Sequence, residues 1–150
     1  MGYVVGGVSR GLLVAIVVTL VSFFFTSMQI HSYLVVVTVV LMTSTLFALA
    51  GFINAVYANS FDDISIIPTF VLTPLIYLGG VFYSMDLLPD FWAGVSKLNP
   101  LVYVVNAFRY GVLGVSDVSL PVAFGMIALF TVIAFSYSMH LLNSGKRLRQ

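Results

Sequence analysis

The chain has 150 residues, of which 61% are hydrophobic and 7% are charged, whereas roughly 25% of the residues in an ordinary soluble domain are charged. A water-facing surface needs more polar residues than this, so the composition excludes a soluble globular fold and predicts a membrane protein. The net charge of +1 is too small to attract nucleic acid, and the absence of cysteine excludes disulfides and thiolate metal sites.

Four apolar stretches are long enough to cross a bilayer as helices, which takes roughly 20 residues. They cover residues 4–25, 33–57, 64–82 and 120–142. Apolar residues follow one another in these stretches without alternation, which favours helices over the strands of a β-barrel. Arg10, the one charge inside the first stretch, can extend its side chain to the headgroups. We therefore predict an all-α membrane protein with four transmembrane helices.

The basic residues predict the orientation of these helices, because Lys and Arg are enriched at cytoplasmic ends. Three of them lie within residues 146–149 and Arg10 opens the first span, which leaves Lys97 and Arg109 for the other side. We therefore predict that both termini are cytoplasmic. The acidic pair at 62–63 then lies in a cytoplasmic turn.

Small residues four positions apart allow close contact between helices. Gly7 and Gly11 form such a pair in the first span, and Gly51 and Ala55 form one in the second. This spacing is common in membrane helices, so ordinary packing of the bundle is the simplest interpretation.

Polar and helix-bending residues in the second and third spans are candidates for packing or transport. Asn54 places an amide inside the second span, where such a side chain faces protein or a water-filled path. Pro68 and Pro74 predict a bent third helix, which is compatible with gating or with a static kink. Gly79 and Gly80 allow the chain to turn after that helix.

The segment between the third and fourth spans predicts two short helices on the outer side. Their predicted bounds are residues 88–98 and 101–113. Pro89 suits the first turn of one helix, while Asn99 and Pro100 end it and cap the next. The second helix is too short to span and carries Arg109, so we predict an outward-facing helical hairpin that is re-entrant or interfacial.

The second of these helices has an apolar and a polar face at helical spacing. The apolar face consists of Leu101, Val104, Val105, Phe108 and Val112. The polar face consists of Asn106, Arg109 and Tyr110. We expect Arg109 to lie at the outer interface, where it reaches water or pairs with Asp86 or Asp90, while Phe108 faces lipid or protein.

The sequence carries no constellation that would make the chain an enzyme. His31 and His140 fall on opposite sides of the membrane in this topology, whereas zinc needs several converging ligands. Gly145 and Lys146 lack the upstream glycine of a phosphate-binding loop. We therefore predict no catalytic, metal-binding or cofactor-binding residue and no ATP hydrolysis by this chain.

An ordered set of short motifs resembles the ABC type-2 exporter permeases. The motifs are Phe70-Val71-Leu72-Thr73-Pro74-Leu75, Leu78-Gly79-Gly80-Val81-Phe82-Tyr83, Leu88-Pro89, Asn99-Pro100-Leu101, Tyr103 and Phe108-Arg109-Tyr110. Each is weak alone, but their order and separations resemble the closing signature of that family, in particular of bacterial inner-membrane members related to drug and polysaccharide exporters. The candidate site residues are Pro74, Gly79, Gly80, Pro89, Asn99, Pro100 and Arg109, with Asn54 added from its position within a span.

The resemblance implies that residues 1–150 are the C-terminal four-span portion of a permease that typically has six spans. It implies a bacterial inner-membrane location among lipids, a partner ABC ATPase that hydrolyses ATP, and a second permease subunit. Since the first two spans and most of the cytoplasmic coupling segment are missing, we expect a fragment. The alternative is a small four-span structural or assembly protein without transport activity. An intramembrane enzyme is less well supported, because no polar catalytic groups converge.

Overall fold

The computed structural model describes residues 2–26, 30–58, 60–81 and 89–144. Those residues form helices and connecting turns, with no β-strand among them. The helices are α1 (Gly2–Phe25), α2 (Tyr33–Tyr57), α3 (Phe61–Ile67), a π-helical segment (Pro68–Leu72), α4 (Thr73–Tyr77), α5 (Asp90–Ser96), α6 (Pro100–Leu113) and α7 (Leu120–Ser144). The all-α prediction is confirmed for this part of the chain. The basic tail at 146–149 lies outside the described residues.

Three helices in the described ranges are long and apolar enough to cross a bilayer, namely α1, α2 and α7. They coincide with three of the predicted spans. Several hydroxyl groups within them bond to carbonyls of the same helix, as Thr19 does to Ala15 at 2.7 Å and Thr131 does to Ile127 at 2.8 Å. These bonds satisfy the hydroxyl donors where no water is available.

The predicted third span, residues 64–82, is interrupted. Pro68 and Pro74 supply no backbone N–H, and the helix between them widens into the π segment, where the Thr73 N–H donates to the Pro68 carbonyl. Helical backbone runs from 61 to 77, and we call these residues the α3–α4 stretch. The predicted end of the span at residue 82 lies outside the described residues.

The acidic pair at the start of this stretch is helical, although the sequence predicted a turn. Ser60 accepts from the Asp63 N–H at 3.2 Å, and the Asp63 carboxylate accepts from the Ser60 N–H at 3.1 Å. This reciprocal capping box starts α3 three residues before the predicted span. Asp62 and Asp63 therefore lie in the first helical turn, where carboxylates favour the positive end of the helix dipole.

Helix α1 packs on α2 through small residues. A Cβ atom at Gly7 would lie 2.6 Å from the Cβ of Ala48, and one at Gly11 would collide with Ser44. Larger side chains would push the two helices apart, so the packing role predicted for Gly7 and Gly11 is confirmed. No residue of α1 is itself buried.

The core lies where α6 packs between α2 and α7. It is formed by Val35 and Val39 of α2, Tyr103 and Ala107 of α6, and Ala123 and Ile127 of α7. Gly111 brings α6 close to α2, since a Cβ atom there would lie 2.7 Å from the Cγ2 of Val36. The short α6 is thus an internal element of the bundle.

The packed face of α6 includes residues of both predicted faces. Its buried residues are Leu101, Val102, Tyr103, Asn106, Ala107 and Gly111. Asn106 of the predicted polar face is fully buried, while Phe108 of the predicted apolar face is 42% exposed. The small side chains of Ala107 and Gly111 select the packed face, because they permit the closest approach of neighbouring helices.

The end of α6 is joined to the start of α2 by backbone hydrogen bonds. The N–H groups of His31 and Ser32 donate to the carbonyls of Val112 and Gly111, at 3.2 and 2.8 Å. Gly114 ends α6 in the left-handed conformation, with φ of 74°, and its N–H donates to the Tyr110 carbonyl at 2.8 Å. Carbonyls that a helix end leaves open are therefore satisfied.

Candidate functional site

A cavity of about 620 Å³ lies between α2, the α3–α4 stretch, α7 and the first residue of α6. We call it the apolar cavity, because Asn54 and Tyr137 are the two polar side chains that line it. Leu46 and Ala50 of α2, Leu72 of the stretch and Phe130 of α7 are typical of its walls. Its volume is within the range of small-molecule sites, roughly 300–1,000 Å³. The walls favour apolar groups over ions.

Asn54 connects the wall of the cavity on α2 with the α3–α4 stretch. Its Nδ2 donates to the Ile64 carbonyl at 2.9 Å, and the residue is 8% exposed. In a regular helix that carbonyl would accept from residue 68, which is proline and has no N–H. The amide thus supplies the donor that Pro68 removes.

Two tyrosines join α2 and α7 beside the cavity. The hydroxyl groups of Tyr57 and Tyr137 form a hydrogen bond, and Tyr137 also lines the cavity. Tyrosine suits a boundary of this kind, because its ring packs against apolar groups while its hydroxyl finds a polar partner.

Asn99 lies where the α3–α4 stretch meets α6. Its Oδ1 accepts from the Leu101 N–H at 2.9 Å, so Asn99 caps α6 as predicted. Its Nδ2 donates to the Leu75 carbonyl at 2.6 Å. Leu75 and Pro100 both line the cavity. Asn99, which is 3% exposed, therefore fixes the junction between the α3–α4 stretch and α6 at the edge of the cavity.

Arg109 joins two turns of the chain. Its Nη2 donates to the Gly80 carbonyl at 2.6 Å, and its Nη1 pairs with the Asp117 carboxylate at 3.1 Å. Gly80 has φ of 74°, a conformation that other residues rarely adopt. Asp117 was missed from the sequence, which offered Asp86 and Asp90 as partners; both of those side chains lie outside the part that the structure describes.

Asn106 organises the loop that carries Asp117. Its Oδ1 accepts from the Asp117 N–H at 2.8 Å and from the Ser116 hydroxyl at 3.2 Å, while its Nδ2 donates to the Val102 carbonyl at 2.9 Å. We call Asn106, Arg109, Ser116, Asp117 and the Gly80 carbonyl the polar network. The one signal for Asn106 in the sequence was an amide within an apolar helix, the same signal that singled out Asn54.

The structure therefore brings together five of the eight candidate site residues around α6. Gly79 and Gly80 form the turn beside it, Asn99 and Pro100 begin it, and Arg109 lies near its end. A Cβ atom at Gly79 would lie 3.2 Å from the Cβ of Leu101, so this turn lies directly on the helix.

The other three candidates lie elsewhere. Pro74 and Pro89 occupy exposed positions, and Asn54 lines the cavity. Within the described ranges, no group of three or more His, Cys, Asp or Glu side chains is placed to hold a metal ion. That the chain needs no cofactor stays a prediction. The arrangement offers an apolar space with fixed helical borders and a separate polar network.

Comparison with known proteins gives a consistent set of relatives. Residues 1–113 match the family described as ABC-2 type transporter. The chain is 53% identical over 148 residues to inner membrane transport permease YadH of Escherichia coli K12. The aligned segment covers 99% of the chain and 58% of that protein. The chain is 29% identical over 111 residues to nodulation protein J of Rhizobium leguminosarum bv. trifolii, covering 74% of the chain and 42% of that protein.

These alignments also show the extent of the sequence. The chain spans 58% of the length of the Escherichia coli relative. No solved structure matches it.

Proposed function

The chain belongs to the ABC-2 type transporter family, and we propose that it is the membrane-spanning permease part of an ATP-driven exporter. A separate ABC ATPase chain hydrolyses ATP, and a second permease subunit completes the path. The observation that carries this proposal is the apolar cavity bordered by α2, the α3–α4 stretch and α7. A permease needs such a space between its helices, whereas a purely structural bundle would fill it with side chains.

The proposed topology has four spans in the bacterial inner membrane, with both termini cytoplasmic. The third span is the α3–α4 stretch, whose 17 helical residues from 61 to 77 cover about 25 Å. After this span, the turn at Gly79 and Gly80 runs along α6. The name of the Escherichia coli relative supports the inner-membrane location.

Helices α5 and α6 form the outward re-entrant hairpin in this proposal. Pro100 lines the cavity together with Leu46, which lies 13 residues into α2 and therefore about 20 Å from its start. The first turn of α6 then lies near the middle of the bilayer. The 14 residues of α6 rise from there to the outer surface over about 21 Å.

The partner can be tested by co-purification. The tagged chain, expressed with the ABC ATPase encoded beside it, should retain that ATPase in detergent and in nanodiscs, and ATP turnover should change when the two associate. A chain that reaches the membrane folded but retains no ATPase would favour the alternative, a four-span structural or assembly protein.

The role of the cavity can be tested in the same complex. Ala134→Trp places an indole in the cavity wall on α7 and should lower the ATP turnover of the complex several-fold. Leu129→Trp is the matched control, since it introduces the same side chain on the same helix at a position that is 50% exposed. Equal turnover in the two variants would contradict a role for the cavity.

A further inference from the structure

We propose that the α3–α4 stretch is a hinged gate over the apolar cavity, latched to α2 by Asn54. What the gate admits rests on the proposed function, but the latch and the hinge do not. Three features of the stretch lead to this inference: how it is attached, how little of it is buried, and where its helical geometry changes.

The latch is the hydrogen bond from the Asn54 side chain to the Ile64 carbonyl. Because Pro68 has no N–H, the Ile64 carbonyl lacks the regular donor four residues on, and the Asn54 amide donates to it at 2.9 Å. Asn54 lines the apolar cavity, where water is a poor substitute for a lost partner. This exchangeable bond therefore attaches the stretch to α2 at this end.

Packing holds the rest of the stretch weakly. Neither the π segment nor α4 contains a buried residue, and Phe70 and Val71 are 73% and 50% exposed. The second attachment is the bond from Asn99 to the Leu75 carbonyl at 2.6 Å. The segment from Ile64 to Leu75 thus has an amide-to-carbonyl bond at each end, and its π segment and α4 contain no buried residue.

The hinge lies between those two attachments. Within the π segment, both the N–H and the hydroxyl of Thr73 donate to the Pro68 carbonyl, the hydroxyl at 3.3 Å. A return to regular α spacing would move the Thr73 N–H to the carbonyl of Thr69. That shift of one residue turns one half of the stretch against the other by about 100°. Single π turns within helices are frequent at functional sites.

The gate can be measured directly, because the chain contains no native cysteine to compete for labels. Spin labels at Phe70→Cys and Leu129→Cys report the distance between the stretch and α7 by double electron–electron resonance in nanodiscs. In Asn54→Leu the population with the longer distance should rise about three- to twentyfold, as expected for one hydrogen bond in a helical bundle. An unchanged distance distribution would overturn the proposal.

Further variants separate the latch from general damage. Asn54→Val also removes the amide donor, so it should repeat the effect of Asn54→Leu. Thr45→Val is the matched control, since it removes a hydrogen bond to Leu41 within α2 and should leave the distances unchanged. In a Pro68→Ala background the Ile64 carbonyl regains an internal donor, so Asn54→Leu should then have little effect. A full effect there would disprove the latch.

These measurements use neither ATP nor an ATPase. If Asn54→Leu changes the spin-label distances in a chain that binds no ATPase, the gate is supported and the transport function is disproved. A complex with active, coupled ATPase but with unchanged distances in both Asn54 variants would disprove the gate alone.

Discussion

Alanine at Gly111 should destabilise the contact between α6 and α2. The new Cβ atom would lie 2.7 Å from the Cγ2 of Val36 and 3.1 Å from its backbone nitrogen. Val36 cannot turn away readily, because a β-branched side chain has one preferred rotamer in a helix, and its nitrogen moves only with α2. Overpacking of this kind costs about 1–3 kcal/mol, which exceeds or offsets the gain of about 1 kcal/mol from placing alanine in a helix.

Gly125→Ala is the matched control for this prediction. Gly125 lies in α7 and a Cβ atom there would have no neighbour within 4 Å. Both variants gain the helical preference of alanine, so the difference between them isolates the packing cost of about 1–3 kcal/mol. We expect Gly111→Ala to be the less stable variant by that amount.

The measurement is the free energy of unfolding in mixed micelles, by titration with SDS and far-ultraviolet circular dichroism. Gly125→Ala should match or exceed the parent chain, and Gly111→Ala should unfold at a lower fraction of SDS. If the two variants unfold at the same fraction of SDS, α6 does not approach α2 as closely as the core described above requires.

Three further predictions concern the polar network and the orientation of the chain. Asn106→Leu should lower the free energy of unfolding by about 1–3 kcal/mol, because the Asp117 N–H loses its buried acceptor; Asn106→Asp, which keeps an acceptor, should lose less in the same titration. Arg109→Leu should speed hydrogen exchange in the loop around Asp117 about tenfold, as expected for loss of a charged hydrogen bond, and an unchanged rate would mean that Arg109 does not hold the loop. A cysteine at Val115, which is 58% exposed, should react with a membrane-impermeant reagent in intact cells, whereas one at Ser144 should react only after permeabilisation; the opposite pattern would reverse the topology.

The long apolar helices and the family were predictable from the sequence because their signals are continuous or local. Uninterrupted apolar residues predicted α2 to the residue and α7 closely. Asn99 and Pro100 predicted the start of α6, because a cap depends on neighbouring residues alone. The ordered motifs correctly indicated the ABC-2 type family.

Several features missed from the sequence depend on contacts between distant parts of the chain, and others on local hydrogen bonds that a hydropathy pattern does not show. The prolines indicated missing N–H donors in the third span but not the π geometry that redistributes the remaining bonds. The helical periodicity of α6 described two faces but did not show which one packs, since a helix between two others buries small and polar positions as well. Asp117 was missed as the partner of Arg109 because it lies in a loop, where no periodic pattern places it.

The bonds between the start of α2 and the end of α6 bear on how the chain is assembled. The carbonyls that receive the N–H groups of His31 and Ser32 belong to Gly111 and Val112, about eighty residues later. At a synthesis rate of roughly 5–20 residues per second, the ribosome needs about 4–16 s to make them. During that interval α2 already has its full apolar length, whereas α6 is too short to insert alone. Helix α2 must therefore enter the bilayer first, and α6, which is made later, packs against it. The Oδ1 of Asn106 in α6 finds its hydrogen-bond donors only once the loop before α7 has left the ribosome.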